Sequence, residues 1–182
     1  MSIQRKSTIG IALGLVGLAA GITSAWVPYA NRVELRASPR LSDITTDMVN
    51  PPNFVAALEL RKKAKARNKA TYGPAKAKLQ KQHYPDIKPI TLGLKPGQAF
   101  DKALATARSL GWAISATDKT AQRIEAFETS FWFGFVDDVV IRIAPDAKGS
   151  RVDVRSSSRV GRRDARVNAN RVRKFLAAIK AK

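Results

Sequence analysis

The hydrophobic pattern divides the chain into a long apolar run, a weakly patterned stretch, a basic stretch and a region of regular alternation. No charged residue occurs from Ile9 to Ala30, and Ile9 to Val27 is almost entirely apolar. A helix of that length crosses a hydrocarbon core of ~30 Å. Arg5 and Lys6 precede the run, and Trp26 and Tyr29 stand where an interfacial aromatic belt would lie. A cleaved secretory signal is the competing reading, since Thr23-Ser24-Ala25 offers a small-x-small site. The length of the run, and the awkward mature start that Trp26 and Pro28 would make, favour a retained anchor over residues 1–30. Gly10, Gly14, Gly17 and Gly21 fall on one face of that helix, a spacing that permits close approach of a second helix and that an Ala/Gly-rich anchor also produces by chance.

Residues 31–52 lack periodicity and hold Ser38-Pro39 and Asn50-Pro51-Pro52, so they read as a tether. Residues 53–83 read as a basic helical segment: Asn53 caps a helix to about Ala70, Thr71-Tyr72-Gly73-Pro74 breaks it, and a short helix resumes to Gln82. From residue 84 to 182 the pattern is that of an α+β domain. Pro89 to Leu94 is a strand, and Pro96 opens a helix with Phe100, Ala103, Leu104, Ala107 and Leu110 on one face, ended by Gly111. Trp112–Ala116, Arg123–Thr129, Asp138–Ala144 and Arg151–Ser158 come next as strands. Asp164 then caps a last helix with Ala165, Ala169, Val172, Leu176 and Ile179 inward. The strands alternate: Ile124, Ala126, Val139, Ile141, Ile143, Val152 and Val154 point one way, and Arg123, Glu125, Asp138, Arg142, Arg151, Asp153 and Arg155 the other. The expected fold is an antiparallel sheet of four to five strands, with helices on the apolar face and an open charged face, behind one transmembrane helix.

Charge changes the picture more than composition does. The net charge of +19 comes almost wholly from two blocks: residues 60–85 hold 9 basic and no acidic groups, and residues 151–182 hold 11 basic and 2 acidic. Such blocks select anionic partners: a membrane surface, a lipid-like ligand, an acidic envelope protein, or nucleic acid if the domain is cytoplasmic. A short N-terminal tail favours export of the domain behind the anchor, which gives a single-pass protein of a bacterial inner membrane with a periplasmic domain. With no cysteine and one histidine, disulfides, thiolate metal sites and multi-histidine clusters are excluded. No cofactor or metal is expected.

Few residues suggest chemistry. Asp137 and Asp138 are adjacent, so on a strand they point to opposite faces and cannot easily share an acid–base task. Asp137, Asp138, Arg142 and Asp153 read as a cross-strand ion-pair lattice. A hydrolase built on Ser157 or Asp138 would need His83, which only the fold could bring near; no enzymatic activity is expected. Phe131-Trp132-Phe133-Gly134-Phe135 reads either as a core-filling hairpin or as an exposed aromatic tip that wets into lipid. Arg155, Ser157, Arg159, Arg162 and Arg163, leading into the last helix, are candidates for holding a phosphate or carboxylate; against this stand Asp164 at the helix start and the favoured alternative that Arg159 and Arg162 pair with Asp137 or Asp138.

At these residues the chain resembles the domain-of-unknown-function 1499 family. Phe131–Arg142, with its Gly-Phe-x-Asp-Asp, and Ser150–Arg162, with Arg-x-x-Ser-Arg-x-Gly, carry the likeness. Ile44–Asp47, Pro51–Phe54 and Tyr84–Ile87 resemble a longer bacterial branch, extending it over residues 44–179. Phe54 stands where many relatives have cysteine, and Arg163-Asp164-Ala165-Arg166 where they usually read Ser-Asp-Leu-Gly. The resemblance implies a membrane-associated protein and no substrate.

Overall fold

Alternation over three consecutive strands builds the sheet that organises the molecule, a computed structural model describing residues 3–181. The elements are α1 (Ile3–Ala37), β1 (Asp43–Thr45), α2 (Ala56–Lys63), α3 (Pro74–His83), β2 (Ile90–Leu92), α4 (Pro96–Ser109), β3 (Ala113–Asp118), β4 (Arg123–Thr129), β5 (Val136–Asp146), β6 (Gly149–Ser158) and α5 (Val167–Lys180). All pairings are antiparallel, in the order β1-β6-β5-β4-β3. The short strands β1 and β2 lie end to end along β6, pairing with residues 155–157 and 150–152. They raise the sheet to six strands and cover an edge that would otherwise expose unpaired amides. At the β5–β6 turn the backbone passes so close to β2 that a Cβ on Gly149 (φ +129°) would lie 2.2 Å from the Leu92 carbonyl, so only glycine fits.

On the apolar face, α4 and α5 pack side by side. Phe100, Ala103 and Ala107 from α4, and Ala169, Val172, Phe175 and Ile179 from α5, meet Ile124, Val139, Ile141, Val152 and Val154. Phe175 stacks on Trp112 with ring centroids 5.3 Å apart. Side chains of this size each contribute about 1.5–3 kcal/mol on burial, which makes this layer the hydrophobic core. Ala165, expected to face inward, instead sits at φ +50° in the turn before α5; Phe175 takes the inward place.

The charged face is not open. Residues 46–73, with α2, lie over it, and Phe54 and Ala57 pack on Val140. Asp138, Asp153, Glu125 and Arg155 are buried there. The helix predicted from Asn53 to Ala70 is shorter, because its first amides are capped from the sheet: the Glu125 carboxylate accepts from the N–H groups of Val55, Ala56 and Ala57 at 2.8–3.1 Å. It ends where Lys65 turns left-handed (φ 49°).

The tether expected over 31–52 is also replaced. Helix α1 continues past the uncharged run to Ala37, and Arg163 donates to the carbonyls of Leu35, Arg36 and Ser38 at its end. Glu34 pairs with Arg166 at 3.2 Å. Leu41, Asp43, Ile44 and Thr45 are buried in the domain itself, and the boundary drawn at residue 84 divides no layer of it. Gly10, Gly14, Gly17 and Gly21 lie on α1, and among the described residues nothing beyond the helix's own backbone lies within 4 Å of where their Cβ atoms would be. Among the described residues one helix is long and apolar enough to cross a membrane, Gly10–Ala37, with a mean hydropathy of 1.8.

Candidate functional site

Three arrangements collect the polar and aromatic residues that the sequence singles out. The first is the buried ionic layer. Arg155 forms two parallel bonds to Asp43, each 2.9 Å, donates to the carbonyls of Pro52 and Ala70, and stacks its guanidinium 4.9 Å from the Phe54 ring centroid. It is 1% exposed, with its donors committed, so it is a structural strut where a ligand-binding group was expected. Asp138 accepts from Arg61 at 2.7 Å and, through both oxygens, from Arg159. Arg159 is thus also committed. Asp153 pairs with Arg142 (2.9 Å) and Arg151 (3.0 Å), and both arginines reach Asp47. Burial pushes the Asp47 carboxyl up, but the amides of Asn50 and Val49 and the guanidinium groups of Arg151 and Arg142 outweigh it and hold it below the ordinary carboxylate range. Asp137 faces the opposite side, where Arg171 of α5 links it (2.8 Å) to Glu128 and to a Ser156–Asn168 pair.

The partners Asp43, Asp47, Arg61, Glu125 and Arg171 escape a reading of the sequence as site residues. For Arg61 a signal exists: with Phe54, Ala57 and Leu58 it follows helical spacing, which places it on the buried side of α2. Asp43 and Asp47 lie on a segment whose place against the sheet no local pattern reveals, whereas Glu125 and Arg171 lie on predicted elements whose partners the pattern does not name.

The second arrangement is a cleft of about 500 Å³ between β1, the end of β6, and the loop from Arg67 to Lys76. Arg40, Arg67, Lys69, Lys76 and Arg162 line it, and Asp43 is the single carboxylate there. Asp43 is already held by Arg155 and Lys76. Ser157 closes the floor; it is 1% exposed, and its Oγ has no hydrogen-bond partner. Beside the cleft Asn68 donates to the carbonyls of Ser158 and Gly161, tying the basic loop to the end of β6. The Tyr72 phenol donates to Gln80, and burial pushes its ionisation above the ordinary range. The start of α5, weighed as an anion site, is taken: Asp164 accepts from the amides of Arg166 and Asn168, and burial raises its carboxyl above the usual value. Arg163 is turned away to the end of α1. Of the five residues expected to hold an anion, Ser157 and Arg162 therefore reach the cleft.

The third arrangement is the β4–β5 loop. Phe131 and Trp132 are 91% and 66% exposed, and Phe133 and Phe135 are exposed as well, so the aromatic string does not fill the core. The loop is built to hold them out. Ser130 N–H donates to the Phe135 carbonyl (2.8 Å), its hydroxyl accepts from the Phe135 amide (2.9 Å), and Gly134 takes φ +62°. Register puts this tip at the same end of the sheet as the junction with α1. Thr129 pairs with Val136, Asp137 with Ser158, and Asp43 with Ser157, while the Ser158 amide donates to Ser42, five residues beyond α1. His83 ends α3 next to Tyr84 and has no bond to the Ser157 hydroxyl. Among the described residues no His, Cys, Asp and Glu gather as a metal site.

An apolar N-terminal helix joined to an antiparallel α+β sheet domain, with a buried ionic layer and an exposed aromatic tip, is the class of protein these features define. The chain belongs to the family described as protein of unknown function DUF1499, whose model matches residues 43–179 and so begins at β1. A comparison with curated proteins finds no match.

Proposed function

We propose that this is a membrane-anchored, non-enzymatic envelope domain of a bacterial inner membrane, exported to the periplasm, that docks against the anionic surface of its own bilayer. The observation that carries the reading is the shared direction of anchor and tip. Phe131, Trp132, Phe133 and Phe135 stand exposed at the end of the sheet where α1 enters, the end that also holds Arg162 and Arg166. Seven residues from Asn31 to Ala37 separate the uncharged run from the domain, a rise of about 10 Å at 1.5 Å per residue. Over that distance Arg162, which makes no ion pair among the described residues, meets anionic headgroups within about a Debye length, and aromatic rings reach the interfacial layer they prefer. A non-enzymatic role is supported by the state of the polar groups: Asp138 is bound by two arginines, and no base touches Ser157.

The chain has no cysteine, so Phe133→Cys labelled with bimane on the full-length protein reports the tip alone. In vesicles containing phosphatidylglycerol, brominated acyl chains quench the label. Equal emission in brominated and unbrominated vesicles overturns the docking. A topology reporter fused after Lys182 is active on the periplasmic side; a cytoplasmic signal would move the reading towards nucleic acid.

A further inference from the structure

We infer that the basic cleft between β1, the end of β6 and the Arg67–Lys76 loop is a binding site for a phosphate-bearing group. The site is distinct from the aromatic tip and does not rest on its docking. Arg40, Arg67, Lys69 and Arg162 line the cleft, stand exposed and make no ion pair among the described residues, whereas Arg61, Arg142, Arg155, Arg159 and Arg171 are spent on carboxylates. Lys76 adds a further positive charge, and its partner Asp43 is also neutralised by Arg155. Ser157 also lines the cleft, and its hydroxyl is buried and without a partner among the described residues. Such an orphan is costly unless something completes it. The carboxylate across from it in the sheet, Asp138, is matched by Arg61 and Arg159, so it leaves no net negative charge to repel an anion.

The chemistry that fits is a tetrahedral oxyanion. Guanidinium and ammonium groups around the rim meet several oxygens of one phosphate at once, and the serine O–H donates to a further oxygen from below. A volume of about 500 Å³ exceeds inorganic phosphate and suits a phosphate ester with its polar substituent. Position defines the two sources to be told apart: Arg40 and Ser42 come directly after α1, which sets the mouth near headgroup level, where a lipid phosphate and a soluble one are both at hand.

The test uses the full-length chain. In one arm, protein in neutral detergent is titrated with glycerophosphoglycerol and with inorganic phosphate by calorimetry. In the other, native mass spectrometry counts phosphatidylglycerol retained against phosphatidylcholine. The triple variant Arg67→Gln, Lys69→Gln, Arg162→Gln should lose about tenfold or more in affinity, and Ser157→Ala about threefold. A control, Lys63→Gln, Lys81→Gln, Lys88→Gln, removes equal charge from exposed positions outside the cleft and should lose less than about twofold. Binding in the first arm assigns a soluble phosphate ester, and retention in the second alone assigns a lipid headgroup. Absence of binding in both arms overturns the site. So does equal loss in the two triple variants, which would mean diffuse charge, or an unchanged Ser157→Ala variant.

Discussion

The two faces of the sheet are covered by layers of opposite chemistry. Under α4 and α5, Ile141, Val154, Phe100 and Phe175 are held by shape and exclusion of water. Under residues 46–73, Arg155, Asp138, Asp153 and Glu125 are as deeply buried but are held by paired charges. The apolar layer is non-directional, so side chains of similar volume substitute for one another at little cost. The ionic layer is directional. Each carboxylate has guanidinium or amide partners placed for it, and removing one partner leaves the other charge buried and unpaired.

The largest test of that contrast is a matched pair of near-isosteric changes on the two faces of one strand, β5. Asp138→Asn keeps the shape but strips the countercharge from Arg61 and Arg159, and is expected to cost about 3–5 kcal/mol in chemical denaturation. Ile141→Leu on the other face is expected to cost about 1 kcal/mol. Similar values for the two would erase the distinction.

A middle-sized effect is expected at Glu125, which joins the sheet to its cover by capping three amides at the start of α2. Glu125→Gln keeps one acceptor and loses the charge at the helix N-terminus, so about 1–2 kcal/mol is expected. Hydrogen exchange should localise the loss to the amides of residues 55–57, leaving α4 protected. Faster exchange throughout α4 would show that the two covers unfold as one.

The smallest effect is expected from mild acid. The Asp47 carboxyl lies below its ordinary value in the folded chain, so its contribution is fully present above the unfolded value of about 4 and is lost as pH falls through the lower, folded one. Wild-type stability should therefore fall below pH ~4 more steeply than that of Asp47→Asn. Parallel curves would remove Asp47 from the acid response.

The two faces also differ in how far their chemistry can be read from sequence. The inward set on the apolar side comes from period-two alternation in β4, β5 and β6 and from the helical spacing of Phe100, Ala103 and Ala107. Apolar side chains advertise burial wherever they lie. The charged set is equally legible as a group, since alternation puts Asp138, Arg142, Asp153 and Arg155 on one face. Its burial is not, because a paired buried arginine and a solvated one are the same letter. What decides between them is the cover. The partners Asp43 and Arg61 stand 112 and 77 residues from Arg155 and Asp138, on segments that read as a tether and a solvated basic helix. Phe131-Trp132-Phe133 poses the converse problem. Aromatic residues favour a core, and only the hydrogen bonds of Ser130 reveal a loop built to present them outward.

The continuous α1 has a consequence for where this protein can act. A flexible linker over residues 31–52 would let the domain wander about 25 Å from its anchor. A helix stopped by Arg163 exchanges that freedom for a fixed offset. If α1 anchors the chain as proposed, the domain would sample a small patch of bilayer in two dimensions, at a high effective concentration of the headgroups beside its own anchor. On the proposed periplasmic placement, partners must come to the domain, and lateral diffusion, not reach, would set how much membrane one molecule surveys.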